Sequence, residues 1–195
     1  MKRAGHVRIQ LVTHGLLMML AGAGIAAKPV AHEIIGRVST ARAKSMWNKW
    51  KEKSARLGQG ISAQPGEPHL WLRIPSCRIN ALVMRESNED ALHRFPASRT
   101  TESGAVIVYA HRDVHFRALS QVRDGDRIQV ELAHGSRLTY QIRSIRILLP
   151  EQVNAVVEAS ANRDTLFLLT CYPFRYIGSA PQRFLVRATK IETRS

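Results

Sequence analysis

The feature that most constrains this fold is a series of short runs after residue 68 in which apolar and polar residues alternate or β-branched residues dominate. Eight such runs follow one another, at 69–74, 79–84, 105–109, 127–132, 138–142, 145–149, 165–169 and 184–188. Between them, only 88–93 and 116–122 have a helical pattern. Closely spaced strands without long crossover helices predict an all-β domain, a small closed eight-stranded barrel rather than a parallel α/β sheet.

The clearest pair of neighbouring strands is a predicted hairpin over residues 128–142. Apolar residues at 128, 130 and 132 are matched by apolar residues at 138, 140 and 142. The residues between the two runs begin with Ala-His-Gly-Ser, in which Gly135 suits a turn. The two runs should therefore pair antiparallel.

Residues 1–30 have the pattern of an export signal. The nineteen residues from Ile9 to Ala27 contain no Asp, Glu, Lys or Arg, and three basic residues precede them. As a helix this stretch would be about 29 Å long, close to the thickness of a bilayer's hydrocarbon core. We expect an uncleaved signal anchor that spans the membrane once, and cleavage as a signal peptide among the small residues 21–27 is the alternative.

Residues 31–68 are interpreted as a basic amphipathic juxtamembrane helix followed by a linker. Apolar residues recur at helical spacing at 43, 46, 47, 50 and 57, and four lysines surround them. Trp beside Lys is typical of a helix in a membrane interface. An amphipathic helix packed on its own domain is an equally good interpretation. The linker, 58–68, is rich in Gly and Pro, and the folded domain is expected over 69–195.

The net charge of +14 raises the question of nucleic-acid binding. The charge is concentrated at the front, where residues 1–56 hold eleven Lys and Arg against two Glu, a balance of +9, and the remaining residues have a balance of +5. No groove-reading helix or aromatic stacking platform is evident in the folded part. We therefore expect no nucleic-acid partner, and basic flanks of an apolar segment suit anionic lipid headgroups.

Three residues suited to covalent catalysis stand at the ends of predicted strands. Cys171 ends an apolar run, His111 closes the run 106–110, and Arg183 opens the last run, twelve residues after Cys171. A thiol nucleophile needs a proton-transfer partner and a group that stabilises an oxyanion. Imidazole exchanges a proton near neutral pH, and a guanidinium stays charged with several donors. Because a barrel can gather strand ends at one rim, we expect these residues to form a site.

These residues resemble the pattern of sortases. The resemblance rests on Thr-Cys at 170–171 after an apolar strand, Ala-His-Arg-Asp at 110–113, an Arg leading a terminal apolar strand, and the order His, Cys, Arg. Thr-Cys-Tyr-Pro-Phe at 170–174 and His-Arg-Asp-x-His-Phe at 111–116 are similar to the proteobacterial, class D-like branch. The sequence departs from that branch at Ala110, where a Gly is usual, and at 95–104, which lack a Gly-Pro-Gly-His element.

The resemblance implies a sortase-type β-barrel that acts as a membrane-anchored cysteine transpeptidase without a cofactor. Cys171 would cleave an LPXTG-like C-terminal sorting signal of a protein substrate after Thr, giving a thioacyl enzyme that an amine of unknown identity resolves. His111 would shuttle the proton, and Arg183 would hold the carbonyl. Four neighbours are expected to bind substrate: Thr170, Tyr172, Arg112 and His115. The domain would face the extracytoplasmic or periplasmic side of the inner membrane.

Several alternatives accompany this interpretation. An even cysteine count in an exported protein can mean a Cys77–Cys171 disulfide, although the strand-end context of Cys171 favours a nucleophile. The spacing of His111 and His115 could hold a metal on a helix, but no third ligand is evident and no metal is expected. At the level of function, a cysteine peptidase that releases product to water and a silent sortase-like binding module remain.

Arg183 competes with other arginines for the carbonyl-binding role. Arg112, Arg175 and Arg187 are the rivals, and the place of Arg183 at the head of the terminal strand favours it over a surface ion pair. Asp113 could orient His111 or Arg112, or be a solvated loop carboxylate, and it is not predicted to be catalytic.

Overall fold

Eight short strands follow one another along the chain and close into a barrel. The computed structural model describes residues 41–56, 63–86 and 89–191, so the predicted anchor over 1–30 lies outside the described residues. The strands are β1 Pro68–Ile74, β2 Ile79–Arg85, β3 Ala97–Thr100, β4 Val106–Tyr109, β5 Arg127–Leu132, β6 Arg137–Leu148, β7 Thr165–Tyr172 and β8 Gln182–Ile191. Their order around the closed barrel is β1-β2-β3-β4-β7-β8-β6-β5. The prediction of a closed eight-stranded barrel is confirmed.

The predicted hairpin is present as β5 and β6. Val130 pairs with Leu138 and Ile128 with Tyr140, which is the register that the apolar pattern indicates. Gly135 has a φ of 92°, in the left-handed region that glycine enters at little cost, so it allows the turn.

Two strands differ from the prediction. The runs at 138–142 and 145–149 form one strand, β6, whose pairing with β8 shifts register between Ile142 and Ser144. Such a shift interrupts the alternation of apolar and polar side chains, and the sequence pattern of this one strand therefore resembles that of two. The strand β3 was not predicted, because only its first two residues are buried and it has four residues in all. The expected number of strands was thus correct, while the division of the chain was wrong at these two places.

Short helices connect the strands. They are α2 Glu89–Leu92, α3 Gln152–Glu158 and two 3-10 segments, Pro75–Cys77 and Arg117–Gln121. The helix α2 and the second 3-10 segment lie where helical patterns were predicted, whereas α3 was not predicted. Val153 and Val157 are buried on one side of α3 and pack against Phe167 and Leu185 of the barrel.

The helix over residues 41–56, α1, packs on the barrel through its tryptophans. Trp47 and Trp50 are 3% and 8% exposed and share a cluster with Trp71 and Leu82. From Ala43 onward the helix belongs to the same compact unit as the strands. The apolar face of this helix therefore packs on its own domain, which is the second of the two interpretations. Within the described ranges, no helix combines the length and the apolarity needed to cross a bilayer.

A half-buried histidine joins three strands. His69 Nδ1 lies 2.7 Å from Ser98 Oγ, and that hydroxyl donates to the carbonyl of Met84 at 3.0 Å. The Ser98 oxygen therefore accepts from the imidazole. Burial, and then the charge of Arg85, lower the pKa of His69 from 6.5 to about 4. The imidazole is neutral in the folded protein at neutral pH.

The titration of His69 predicts a loss of stability in mild acid. The unfolded chain binds this proton below a pKa of 6.5, and the folded chain only near about 4, so the free energy of unfolding should fall as pH drops through that window. We expect a loss of about 2 kcal/mol between about pH 7.5 and about pH 5, which His69→Gln should remove. Urea unfolding of both proteins at about pH 7.5 and about pH 5 measures it. An equal acid-induced loss in the two proteins would contradict the assignment.

Candidate active site

Cys171 and Arg183 are direct neighbours across two strands. In the antiparallel pair of β7 and β8, Cys171 is the register partner of Arg183, and Tyr172 that of Gln182. Residues directly opposite in a sheet project from the same face. The pairing therefore sets a thiol and a guanidinium side by side, close to the end of both strands.

His111 is brought to the same place by the parallel pair of β4 and β7. Tyr109 pairs with Leu169, and the backbone N–H of Ala110 donates to the carbonyl of Leu169 at 3.3 Å. The buried hydroxyl of Thr170 then donates to the carbonyl of Ala110 at 2.8 Å. Continued by two residues, this register sets His111 opposite Cys171.

The backbone after His111 is held by a turn anchored in the core. The N–H groups of His115 and Phe116 donate to the carbonyl of His111 at 3.2 and 3.1 Å. Phe116 is fully buried in the barrel interior with Leu119. Burial of an aromatic side chain of this size stabilises by roughly 1.5–3 kcal/mol. Phe116 thus fixes the loop in which His111 lies.

A cleft of about 400 Å³ collects the three side chains. His111, Cys171 and Arg183 all line it. The remaining lining residues come mostly from the strands that flank them: Leu92, Arg99, Ile107, Tyr109, Ala110, Leu169 and Thr170. The volume is in the range of ligand-binding clefts, and an extended peptide could lie over its apolar floor.

The His111 imidazole stacks on a second histidine. The rings of His93 and His111 have centroids 4.6 Å apart and an interplanar angle of 23°. In the part of the chain that the structure describes, Nε2 of His111 is buried and has no hydrogen-bond partner. The stack orients the ring, and the hydrogen-bonding capacity of this nitrogen is not used by any described residue.

Arg183 is held by the end of the loop that precedes β8. Its Nη1 donates to the carbonyls of Ala180 and Gln182 at 3.1 and 3.0 Å. These are the only side-chain hydrogen bonds of Arg183 to described residues, and they leave the N–H groups on Nε and Nη2 free for another acceptor. The guanidinium is therefore both fixed and available.

A comparison with protein families identifies this arrangement. The family profile described as the Sortase domain matches residues 72–191, well over half of the chain. The chain belongs to the sortase family. Sortases are cysteine transpeptidases, so this protein is an enzyme of that class.

Individual relatives agree with the family assignment. The protein described as Sortase D from Bacillus subtilis (strain 168) is 26% identical over 142 residues, which cover 70% of this chain and 71% of the relative. A Clostridium perfringens Sortase D5 transpeptidase structure matches with a TM-score of 0.58 and 19% identity, covering 78% of this sortase and 95% of that chain. Sortase A from Corynebacterium diphtheriae matches with a TM-score of 0.57 and 16% identity, covering 79% and 86%. At such identities these two structures support the fold.

The two cysteines of this sortase are unbonded. Cys77 is buried, and its sulfur lies 3.8 Å from the carbonyl oxygen of Ile74. Burial raises the pKa of the Cys77 thiol and so disfavours its reactive thiolate. Cys171 is partly exposed in the cleft. The structure therefore contains no Cys77–Cys171 disulfide, and this alternative was wrong.

The four predicted substrate-binding residues take different positions. Thr170 lines the cleft, but its hydroxyl is used to join β7 to Ala110. Tyr172 packs with Phe174 and Phe184, outside the cleft lining. Arg112 bonds to carbonyls of the loop before β8.

His115, the fourth of these residues, is half-buried beside the site. Burial, together with the charge of His111, lowers the pKa of His115, against a hydrogen bond with the backbone of His93 that raises it. His115 does not line the cleft. No group of three potential metal ligands occurs among the described residues, so nothing in these ranges pairs His111 and His115 with a third ligand.

Some residues of the site were missed from the sequence. His93 and Arg99 were not singled out, and both come from the segment that carries α2 and β3. The helical pattern over 88–93 locates the turn that carries His93, but nothing in it indicates which side chain faces His111. The rival arginines Arg112, Arg175 and Arg187 do not line the cleft.

The Thr170 hydroxyl should be needed for both stability and turnover. Thr170→Val keeps the shape but removes the buried bond to Ala110, which we expect to lower the free energy of unfolding by about 1–3 kcal/mol. Turnover should also fall, because His111 is the next residue. Thr170→Ser keeps the hydroxyl and is the matched control. Urea unfolding and peptide cleavage measure the two effects, and equal behaviour of the Val and Ser variants would contradict the role.

Proposed function

We propose that this sortase cleaves a protein substrate after Thr within an LPXTG-like sorting signal and transfers the new acyl end to an amine. The observation that carries the proposal is that His111, Cys171 and Arg183 line one cleft, with Cys171 and Arg183 as register partners. A nucleophile, a proton carrier and a fixed cation in one groove are what acyl transfer requires.

In the first step the thiolate of Cys171 attacks the Thr carbonyl. The carbonyl oxygen gains negative charge, and the free N–H groups of Arg183 stabilise it. Because Nη1 of Arg183 is already bound to two backbone carbonyls, the guanidinium needs little rearrangement when the charge develops. The step ends in a thioester between Cys171 and the Thr carbonyl.

His111 moves the protons of both half-reactions. It donates a proton to the amine that leaves when the peptide bond breaks, and it accepts one from the amine that attacks the thioester. This role is supported by the place of His111 in the cleft with Cys171 and by its Nε2, which has no hydrogen-bond partner among the described residues. The roles of the three residues follow their chemistry, since only imidazole among them changes protonation readily near neutral pH.

We further propose that residues 1–30 anchor the enzyme in the inner membrane, with the catalytic domain outside the cytoplasm. The support is the nineteen-residue segment without charged side chains and its basic flank. The partners are then an exported protein with a C-terminal signal and an amine on the same side of the membrane. Membrane tethering would confine the enzyme to the surface across which such substrates emerge.

Loss of either the thiol or the imidazole should abolish cleavage. We expect Cys171→Ala and His111→Ala of the full-length protein to cut an LPXTG-containing peptide roughly 10³-fold or more slowly than the wild type. Cys77→Ala removes the other, buried thiol and should retain cleavage. Product formation is followed by chromatography. Cleavage by Cys171→Ala at the wild-type rate would refute the mechanism.

Product mass distinguishes transfer from hydrolysis. With an added amine nucleophile, we expect the acyl product to gain the mass of that amine, and without it an acyl adduct should accumulate on Cys171. Mass spectrometry of the peptide and of the trapped enzyme gives both values. A product that carries only water at every amine concentration would instead indicate a peptidase.

A further inference from the structure

The loop over 173–181 joins two of the proposed catalytic residues. It leaves β7 just after Cys171 and enters β8 just before Arg183. Contacts between aromatic side chains hold its beginning. The ring centroids of Tyr172 and Phe174 lie 5.9 Å apart, and those of Phe174 and Phe184 lie 5.0 Å apart. Its last residues supply the Ala180 carbonyl that holds Arg183. The position of Arg183 therefore depends on the course of this loop.

The middle of the loop lacks such packing. Tyr176 is 46% exposed, and Ile177 is fully exposed. What reaches this part is Arg112, the residue that follows His111. Its Nη2 donates to the carbonyl of Tyr176 at 2.6 Å and lies 3.4 Å from that of Gly178, and its guanidinium carbon is 5.9 Å from the centre of the Tyr176 ring.

Arg112 uses its charge for this contact. It forms no ion pair with any described carboxylate, and its neighbour Asp113 is exposed. Hydrogen bonds from a charged donor are stronger than neutral ones, and a guanidinium can meet two acceptors and an aromatic face together. Lys could reach one carbonyl but could not reproduce this arrangement.

We propose that Arg112 is a positioning residue that clasps the 173–181 loop to the His111 segment and thereby sets Arg183 over the cleft. The proposal rests on the proposed function and deepens it. The clasp links the two sides of the cleft, because one end of it is the residue after His111 and the other is the loop that supplies the Ala180 carbonyl to Arg183. Arg112 thus acts through Arg183 and not as a ligand of the substrate.

The first experiment measures the clasp without turnover. Amide hydrogen exchange of residues 175–180 is compared in full-length wild type, Arg112→Ala, Arg112→Lys and Arg175→Ala. Arg175 is an exposed arginine of the same loop that bonds to no described residue, so its removal is the matched control for charge. We expect faster exchange in Arg112→Ala, an intermediate rate in Arg112→Lys and the wild-type rate in Arg175→Ala. Unchanged exchange in Arg112→Ala would overturn the proposal.

The second experiment separates positioning from substrate binding. For Arg112→Ala we expect kcat for LPXTG peptide cleavage to fall about 10- to 100-fold with little change in KM, and Arg112→Lys to restore part of the loss. Alkylation of Cys171 by iodoacetamide should stay within about twofold of the wild-type rate, since the thiol and His111 are untouched. A higher KM at unchanged kcat would overturn the proposal in favour of a substrate ligand, and slowed alkylation would overturn it in favour of an effect on His111.

The two proposals fail in different ways. If the wild type does not cut the peptide at all, the proposed function is in error, and the exchange comparison still decides whether Arg112 holds the loop. If the wild type cuts and Arg112→Ala cuts equally well despite faster exchange, the clasp exists without a role in the reaction, and the positioning role is refuted alone.

Discussion

The site depends on the pairing of β7 with a different neighbour on each of its two edges. On one edge β7 runs parallel to β4, and the bond from the Thr170 hydroxyl to the Ala110 carbonyl extends that pairing beyond the last ladder residue. On the other edge it runs antiparallel to β8 and sets Cys171 opposite Arg183. A strand has two rows of backbone groups, so β7 can fix both neighbours of Cys171 at once. The register of one strand therefore determines the geometry of the whole site.

This dependence explains why the meeting of His111, Cys171 and Arg183 in one cleft could be predicted from the sequence better than parts of the fold. His111, Cys171 and Arg183 stand where apolar runs end, and a closed barrel brings such ends together. Long strands such as β7 and β8 give a clear signal because each contains a run of consecutive buried apolar residues. By contrast, β3 has four residues of which two are exposed, and its place between β2 and β4 is decided by tertiary contacts.

The remaining differences have the same origin in long-range contacts. The pattern of α1 identifies an apolar face but not what that face meets, and it is the cluster with Trp71 and Leu82 that settles it. The stacking of His93 on His111 joins residues eighteen positions apart through a turn whose path the sequence does not specify. Likewise, the sequence places Arg112 next to His111, whereas its side-chain hydrogen bonds are to a loop more than sixty residues away.

The two departures from the sortase pattern, Ala110 and residues 95–104, both involve buried residues of the barrel. Ala110 is buried in the core, and among the described non-glycine residues only Arg78 and Glu86 have a positive φ, so no left-handed backbone is required at position 110. A glycine there would add flexibility beside His111 without being needed for the turn. In the 95–104 segment, Ser98 is fully buried and bonded to His69 and Met84, while Arg99 on the same strand reaches the cleft. Residues 95–104, which depart from the sortase pattern, thus supply part of one wall of the cleft. The strand in that wall is held in place by the hydrogen bonds of the buried Ser98.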